Sequence, residues 1–317
     1  MTSNEQRFLD HLGVTAWHAA GYTGKRGLTA SAEQVDGSGG SHANITKKVF
    51  QLFAPDRELV YLSCASMTSA EGRTSKFVDE GIPIIKARQV DTMWKSLDCS
   101  SSGAFYDPYL EEVKDYFTFF AAAANDAADS YNRDLDSKWI YGVGAYNLMA
   151  PDNKMVPAGY TSWSEYVDFA APALIYGFSG TSCATPALCG MAAVVNDFFI
   201  DKTGKPLSSE KMYQFLKDCS VDIGDAGKDI KTGWGAPILP PPDEVDIQKY
   251  VGGGEAVKQY ADDAKISPWH KDDVYRAQEL GLMQGDDKGN FDPQDPVTRE
   301  QLASVAVRLY DKIADRG

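Results

Sequence analysis

The segment at residues 185–199 limits the possible folds more than any other part of the chain. Its residues are small or apolar on nearly every side of a helical projection. A helix without a polar face is buried on all sides. The chain has 317 residues, of which 43% are hydrophobic, so it has enough apolar side chains to surround such a helix. We therefore predict a domain built around this helix.

Short apolar runs and helical patterns alternate before this segment. Ile45, Val49 and Phe53 fall on one face of a helix predicted over residues 43–53. Strands that alternate with helices are typical of a parallel sheet covered on both faces. The predicted fold class is therefore α/β, with a mainly parallel sheet and helices on both faces. The apolar runs that predict strands lie at residues 59–62, 82–85, 117–122 and 139–143.

A boundary between two domains is predicted after residue 239. Three consecutive prolines at residues 240–242 stiffen the backbone, and three consecutive glycines at residues 252–254 loosen it. Such a stretch is typical of a linker. The sequence therefore predicts a large domain over residues 1–239, a linker over 240–264 and a small helical module over 265–317.

The composition argues against several classes of function. Lys and Arg total 31 and Asp and Glu total 45, so the net charge of −14 disfavours nucleic acid and anionic membranes as partners. Apolar runs such as residues 119–124 are much shorter than the roughly 20 residues of a membrane span. Five scattered cysteines without a Cys-x-x-Cys pair predict reduced thiols and no metal site. The lack of a signal-like N-terminus favours a cytoplasmic location.

A candidate nucleophile lies at the start of the apolar helix. Gly180 permits a tight backbone turn, and Ser182 follows it. Free N–H groups and the helix dipole favour negative charge at this position, so the Ser182 hydroxyl is suited to attack a carbonyl carbon. Pro186 is interpreted as a first-turn residue, where no intrahelical hydrogen bond is lost. The alternative is an ordinary serine that caps the helix.

Residues 180–186 resemble the Gly-Thr-Ser-x-Ala-[Ser/Thr]-Pro signature of the subtilisin-like serine peptidases, or subtilases. Residues 117–125 are similar to the subtilase strand that ends in Ala-Ala-Gly-Asn, with Ala124 in place of the glycine. Residues 167–172 resemble the loop that approaches the serine. The resemblance implies a subtilisin-like fold, with Ser182 as nucleophile and Asn125 as a donor to the oxyanion. It implies no required cofactor, although subtilases often bind structural calcium.

The resemblance also implies a general base. His42 stands where the predicted helix begins, at the position at which subtilases place their histidine, although Ala43 replaces the usual glycine. An imidazole near the serine can accept the hydroxyl proton. His18 is the less favoured alternative, because packing or surface exposure suits it better.

Two residues are candidates for the carboxylate that orients this histidine. Leu28, Ala30 and Ala32 alternate on one face of a short predicted strand that ends at Glu33. Asp36 follows in an Asp-Gly-Ser-Gly stretch that could equally be a turn. A carboxylate in either position could stabilise the imidazolium. The sequence favours Glu33 and leaves Asp36 open.

The C-terminal segment resembles a single S-layer homology (SLH) module. Residues 302–309 have apolar positions on one helical face, and Thr298 is a predicted helix N-cap. SLH modules usually bind cell-wall polymers, with the Thr-Arg-Glu stretch at residues 298–300 at the site. The resemblance implies a cell-wall polymer or a protein as partner, and the cell envelope as location if the module binds the wall. The alternative is a docking or oligomerisation module.

These features support two hypotheses. The first is a serine endopeptidase that cleaves a protein or peptide substrate through an acyl-enzyme, with Ser182 as the nucleophile. The second is a catalytically inactive subtilase-fold scaffold or cell-wall attachment protein. The departures at Ala43 and Ala124 and the missing Ile-Asp-x-Gly motif motivate this alternative. The intact serine segment and Asn125 favour the peptidase.

Overall fold

The computed structural model describes residues 3–33, 40–62, 76–97, 102–251, 259–267, 270–279, 281–286 and 288–314. The chain divides into two compact units, Met1–Val245 and Asp246–Gly317. This division falls within the predicted linker. Asp36 and the three consecutive glycines of the linker lie outside the described residues.

The first unit is built on a seven-stranded sheet. The strand order is β2-β1-β3-β4-β5-β6, and β7 also pairs with β5. Every pairing in this sheet is parallel except the one between β5 and β6. The strands are β1 Leu28–Ser31, β2 Glu58–Tyr61, β3 Thr92–Lys95, β4 Thr118–Ala122, β5 Ile140–Met149, β6 Lys154–Pro157 and β7 Val167–Pro172, with a separate pair of β8 Ser220–Val221 and β9 Ala236–Pro237.

Helices cover both faces of the sheet. On one face, Met93 packs in a cluster with Ile85 and Leu110. On the other face, Trp94 stacks on Phe50 with ring centroids 4.8 Å apart. The predicted α/β class, a mainly parallel sheet between helices, is therefore confirmed. The α-helices in the described part of this unit are Ser3–His11, Val14–Ala19, Ser41–Phe53 (the histidine helix), Ile82–Arg88, Asp107–Glu111, Thr181–Thr203 (the central helix) and Ser209–Asp218.

The central helix is the buried helix that the sequence predicts. It is long and apolar enough to cross a membrane, yet 94% of its most apolar window is buried within the domain. Its buried polar residues have specific partners. Asp197 is fully buried and accepts backbone N–H groups from Thr23, Gly24 and Lys25 at 2.9–3.1 Å. The central helix thus holds the loop that leads into β1.

The central and histidine helices pack closely against each other at Gly190. A Cβ atom at this position would lie 2.8 Å from the Phe53 Cβ and 2.9 Å from the Phe50 carbonyl oxygen. These distances are shorter than van der Waals contact, so only glycine fits here. The close approach matters for function because the two helices carry His42 and Ser182, respectively.

We expect the substitution Gly190→Ala to destabilise the protein by about 1–3 kcal/mol, the usual cost of overpacking a core. Urea unfolding of the full chain measures this effect. Gly159→Ala is the matched control, because a Cβ there meets no atom within 4 Å. Its free energy of unfolding should stay within about 0.5 kcal/mol of the wild type. Equal effects of the two substitutions would contradict the packing argument.

The sequence-based prediction of a strand at residues 82–85 is wrong. These residues begin the helix Ile82–Arg88, with Pro83 in its first turn, where proline is tolerated. Ile82 and Ile85 are buried one helical turn apart. In such a short apolar run, periodicity alone cannot distinguish a buried helix from a strand. The strand next in the chain, β3, was not predicted, because its buried Lys95 makes the run look polar.

Two interpretations near the serine also need correction. Residues 167–172 form strand β7 rather than a loop. The central helix begins at Thr181, so Pro186 lies beyond the first turn. A proline at that position removes the hydrogen bond to the carbonyl of Ser182, four residues earlier.

The second unit contains the helices Ile247–Val251, Lys271–Glu279 and Arg299–Ala314. Thr298 caps the last of these, as predicted: its Oγ1 accepts the Gln301 N–H at 3.1 Å. Gln301 Oε1 in turn accepts the Thr298 N–H at 2.8 Å, which completes a reciprocal capping box. A small aromatic cluster forms around Tyr260, whose ring lies 5.5 Å from Tyr275 and 5.1 Å from Phe291.

Candidate active site

The turn before the central helix presents Ser182 at the carboxyl-terminal edge of the sheet. Gly180 has a φ of 98°, a conformation that side-chain-bearing residues rarely adopt. The Gly180 N–H donates to the Tyr160 hydroxyl at 3.0 Å, which fixes this turn. Ser182 is the second helical residue and is partly exposed. Its backbone N–H belongs to the first turn, where helical geometry provides no acceptor.

A reciprocal pair of hydrogen bonds joins Ser182 to Ser96, the residue after β3. The Ser182 Oγ donates to the Ser96 carbonyl at 3.2 Å, and the Ser96 Oγ donates to the Ser182 carbonyl at 3.1 Å. The Ser182 carbonyl is free for this contact because Pro186 has no N–H to donate to it. The hydroxyl carries one proton, so its transfer to a base requires Ser182 to leave the Ser96 carbonyl.

The structure pairs His42 with Glu33. The Nδ1 of His42 lies 2.7 Å from the Glu33 Oε2. Glu33 is 1% exposed, whereas the His42 side chain is 41% exposed. The hydrogen bond that His42 donates to Glu33 raises the pKa of His42 above its ordinary value, and the negative charge of Glu33 adds to this effect while burial opposes it. Because Nδ1 faces the carboxylate, Nε2 is the ring nitrogen available to a substrate or nucleophile.

Local strand geometry places the Glu33 carboxylate. β1 lies between β2 and β3, and Glu33 follows its end. The Glu33 N–H donates to the Ser31 Oγ at 3.2 Å, and the Ala32 N–H donates to the Trp94 carbonyl at 3.2 Å. Within the described part of the chain, the Glu33 Oε1 is buried without a hydrogen-bond partner. The carboxylate therefore has one described partner, His42.

Asn125 follows β4 and contacts the turn that carries Ser182. Its Oδ1 accepts the Thr181 N–H at 2.8 Å and lies 3.2 Å from the Thr181 hydroxyl. With Oδ1 engaged in this way, the side-chain NH₂ group is left to donate to another acceptor. Ala124, the residue before it, has a φ of 93°. The backbone thus adopts here the conformation that favours glycine, although the sequence has alanine.

Glu33, Asn125 and the Ser96 partner of Ser182 all follow the carboxyl ends of parallel strands, where α/β proteins form their binding sites. The His42 ring lies edge-on to the Phe178 ring, with centroids 5.6 Å apart, so the histidine contacts the loop that precedes Ser182. The structure thus pairs Glu33 with His42 and places Asn125 against Thr181, the residue before Ser182. Asp36, the other candidate carboxylate, lies outside the described residues.

The other candidate base, His18, and the nearby thiol of Cys183 are less suited to proton transfer and nucleophilic attack than His42 and Ser182. The His18 Nε2 lies 2.7 Å from the Phe53 carbonyl, at the opposite end of the histidine helix from His42. Burial raises the pKa of the Cys183 thiol to about 12, so this neighbour of Ser182 is not a thiolate at neutral pH. Cys183, Cys189 and Cys219 are free thiols. Among the described residues, no group of three or more His, Cys, Asp or Glu side chains is arranged to hold a metal ion.

Two residues that hold the serine turn in place, Ser96 and Tyr160, were not predicted from the sequence. Pro186 offered a signal for Ser96, because a proline inside a helix leaves a carbonyl without its usual donor. Tyr160 offered none, since its partner lies 20 residues away in the chain. Contacts of this kind follow from the tertiary fold and not from the local pattern.

Comparisons with known structures support the fold. The chain is similar to a solved lanthipeptide protease, with 14% identity, a TM-score of 0.60, and coverage of 75% of this chain and 94% of that one. It is also similar to the prenylagaramide maturation protease PagA, with 16% identity, a TM-score of 0.57, and coverage of 74% and 98%. The PatG macrocyclase domain matches with 11% identity, a TM-score of 0.56, and coverage of 76% and 96%. No curated protein matches the chain.

Family models match both units. The model of the S-layer homology domain matches residues 259–303 of the second unit. The model of the subtilase family matches residues 27–235, which include Glu33, His42, Asn125 and Ser182. This match covers more than half of the chain and all seven strands of the sheet. The chain therefore belongs to the subtilase family of peptidases, and its C-terminal segment is an S-layer homology domain.

Proposed function

We propose that the first unit is a serine endopeptidase, with Ser182 as nucleophile, His42 as general base and Glu33 as the carboxylate that orients it. The observation that carries this proposal is the 2.7 Å contact between His42 Nδ1 and the buried Glu33 carboxylate. It directs Nε2 away from Glu33 and raises the pKa of His42, as a general base requires. The choice of Glu33 over Asp36 rests on this contact.

In the proposed reaction, the Ser182 Oγ attacks the carbonyl carbon of the scissile peptide bond while its proton passes to the His42 Nε2. The tetrahedral intermediate collapses, the C–N bond breaks, and His42 returns the proton to the departing amine. Water then attacks the acyl-enzyme ester with His42 again as base, which releases the acid and restores the Ser182 hydroxyl. The chemistry uses side chains and water, with no cofactor or metal; any calcium would act structurally.

The negative charge that develops on the substrate oxygen needs donors that are already in place. We propose that the Asn125 side-chain NH₂ group and the Ser182 backbone N–H supply them. The bond between Asn125 Oδ1 and the Thr181 N–H supports this role, because it ties the donor to the residue next to the nucleophile. The Ser182 N–H lies in the first helical turn, where the helix dipole also favours negative charge.

A fluorophosphonate probe tests this proposal, because it reacts with serines whose hydroxyl is activated by a base. We expect the wild-type chain to be labelled, and the Ser182→Ala and His42→Ala variants not to be. Ser179→Ala is the matched control, since Ser179 is exposed in the same loop and should not be needed for labelling. A folded wild type that resists labelling would favour the inactive-scaffold hypothesis.

We also propose that the second unit attaches the protein to a cell-wall polymer, which would place it at the cell envelope. The match to the S-layer homology domain supports this role. Arg299 is exposed beside the Thr298 cap, so its guanidinium is available to an anionic polymer. Co-sedimentation of the full chain with purified cell walls tests the proposal, with Arg299→Ala expected to reduce binding. A full chain that stays in the supernatant would contradict it.

A further inference from the structure

We propose that Ser162 is a positioning residue that holds the oxyanion donor Asn125 in its working geometry. The inference rests on the proposed peptidase function and assigns to that site a residue that does not touch the substrate. Ser162 lies between β6 and β7 and is completely buried.

Ser162 makes one hydrogen bond to the residue before Asn125 and one to the residue after it. The Ser162 N–H donates to the carbonyl of Ala124 at 3.0 Å. The Ser162 Oγ accepts the backbone N–H of Asp126 at 3.0 Å. The peptide groups on both sides of Asn125 are therefore held by one residue from another segment of the chain. The side-chain contact is the one that a substitution can remove.

The backbone at Asn125 needs such support. Ala124 has a φ of 93° and Ala127 has a φ of 49°, so alanines adopt left-handed conformations on both sides of the donor. These conformations disfavour any residue with a Cβ, and they persist only where the surrounding structure enforces them. Because this turn has alanine where the subtilase pattern has glycine, it depends on external contacts more than a glycine turn would.

Neighbouring contacts align the same two segments. The Ala127 N–H donates to the Tyr160 carbonyl and the Trp163 N–H donates to the Ala128 carbonyl, both at 3.0 Å. The Ser162 Oγ also lies 3.2 Å from the Ser130 hydroxyl and 3.5 Å from the Asp126 carboxylate. The backbone contacts remain when Ser162 is changed to alanine, so the turn is loosened at Asn125 rather than lost.

We expect Ser162→Ala to lower kcat for a peptide substrate about tenfold while KM changes less than about twofold. The loss falls on kcat because Asn125 acts on charge that exists only in the transition state. It is smaller than the roughly 10²–10³-fold loss expected for Asn125→Ala, because the donor is displaced rather than removed. Ser164→Ala is the matched control, because the Oγ of this buried serine makes one described hydrogen bond, which it accepts from the local Tyr166 N–H at 3.3 Å. Its kcat should therefore stay close to that of the wild type.

A double-mutant cycle separates this role from a general loss of structure. In an Asn125→Ala background, Ser162→Ala should lower kcat by no more than about twofold, because the residue it positions is gone. Ala124→Gly should recover several-fold of the kcat lost in Ser162→Ala, since glycine relieves the left-handed strain. If Ser162→Ala fails to fold, Ser162→Cys keeps a similar volume with a weaker acceptor and should lower kcat in the same way.

The outcomes distinguish this inference from the function on which it rests. A tenfold loss that disappears without Asn125 supports the positioning role. An active wild type with an unchanged Ser162→Ala variant would overturn the inference alone, and so would an equal loss in both backgrounds. An inactive wild type would overturn the proposed function and this inference together.

Discussion

Replacing Ser182 with alanine is expected to lower kcat for a peptide substrate about a millionfold, the loss that removal of the nucleophile causes in a serine peptidase of this family. The physical reason is that no acyl-enzyme can form without the hydroxyl, while the proposed oxyanion donors are unchanged. Ser182 Oγ makes one described hydrogen bond, to the Ser96 carbonyl. Thermal unfolding should therefore change little, and steady-state hydrolysis of a fluorogenic peptide measures the loss.

The same experiment includes variants of His42, the proposed general base. His42→Ala should cause a loss similar to that of Ser182→Ala, and the double variant should be no slower than either single one, because the two residues act as a unit. Ser179→Ala is again the control and should keep kcat within about twofold. Additive losses for Ser182 and His42 would argue against the proposed proton transfer between them.

The substitution Glu33→Gln is expected to lower kcat about 10⁴-fold, as loss of the orienting carboxylate does in serine peptidases with a catalytic triad. Glutamine keeps the shape of the side chain but can no longer stabilise a positive charge on His42. Asp36→Asn is the matched control, because Glu33 already occupies the Nδ1 side of the ring. We expect this control to retain most of its activity, and a larger loss there than in Glu33→Gln would reverse the assignment.

The same variant has a defined effect on pH dependence. Glu33 raises the pKa of His42, and a general base works only when it is unprotonated. The acid limb of kcat/KM should therefore lie above pH ~6.5, the ordinary value for histidine. Without the negative charge the pKa falls, so the acid limb of Glu33→Gln should move to lower pH while the plateau drops. A pH–rate profile measures both changes, and an unmoved acid limb would contradict the pairing.

The sequence predicts the position of Ser182 more directly than that of the carboxylate Glu33. The position of Ser182 follows from local pattern: a glycine turn, a hydroxyl residue and then an apolar helix. The choice between Glu33 and Asp36 does not, because both carboxylates stand a few residues before His42 in a stretch with weak strand character. The hydrogen bond between His42 and Glu33 depends on how the end of β1 meets the histidine helix.

Local sequence pattern alone predicted the α/β class, the buried central helix and the serine turn. These features depend on the spacing of apolar residues and glycines, which can be read directly from the sequence. Local pattern failed at residues 82–85, where a short apolar run fits a strand and a helix equally well. The contacts of Ser96 with Ser182, and of Ser162 with Asp126, join residues 86 and 36 positions apart. Partners at such distances are selected by the packing of whole segments, so they emerged only with the three-dimensional fold.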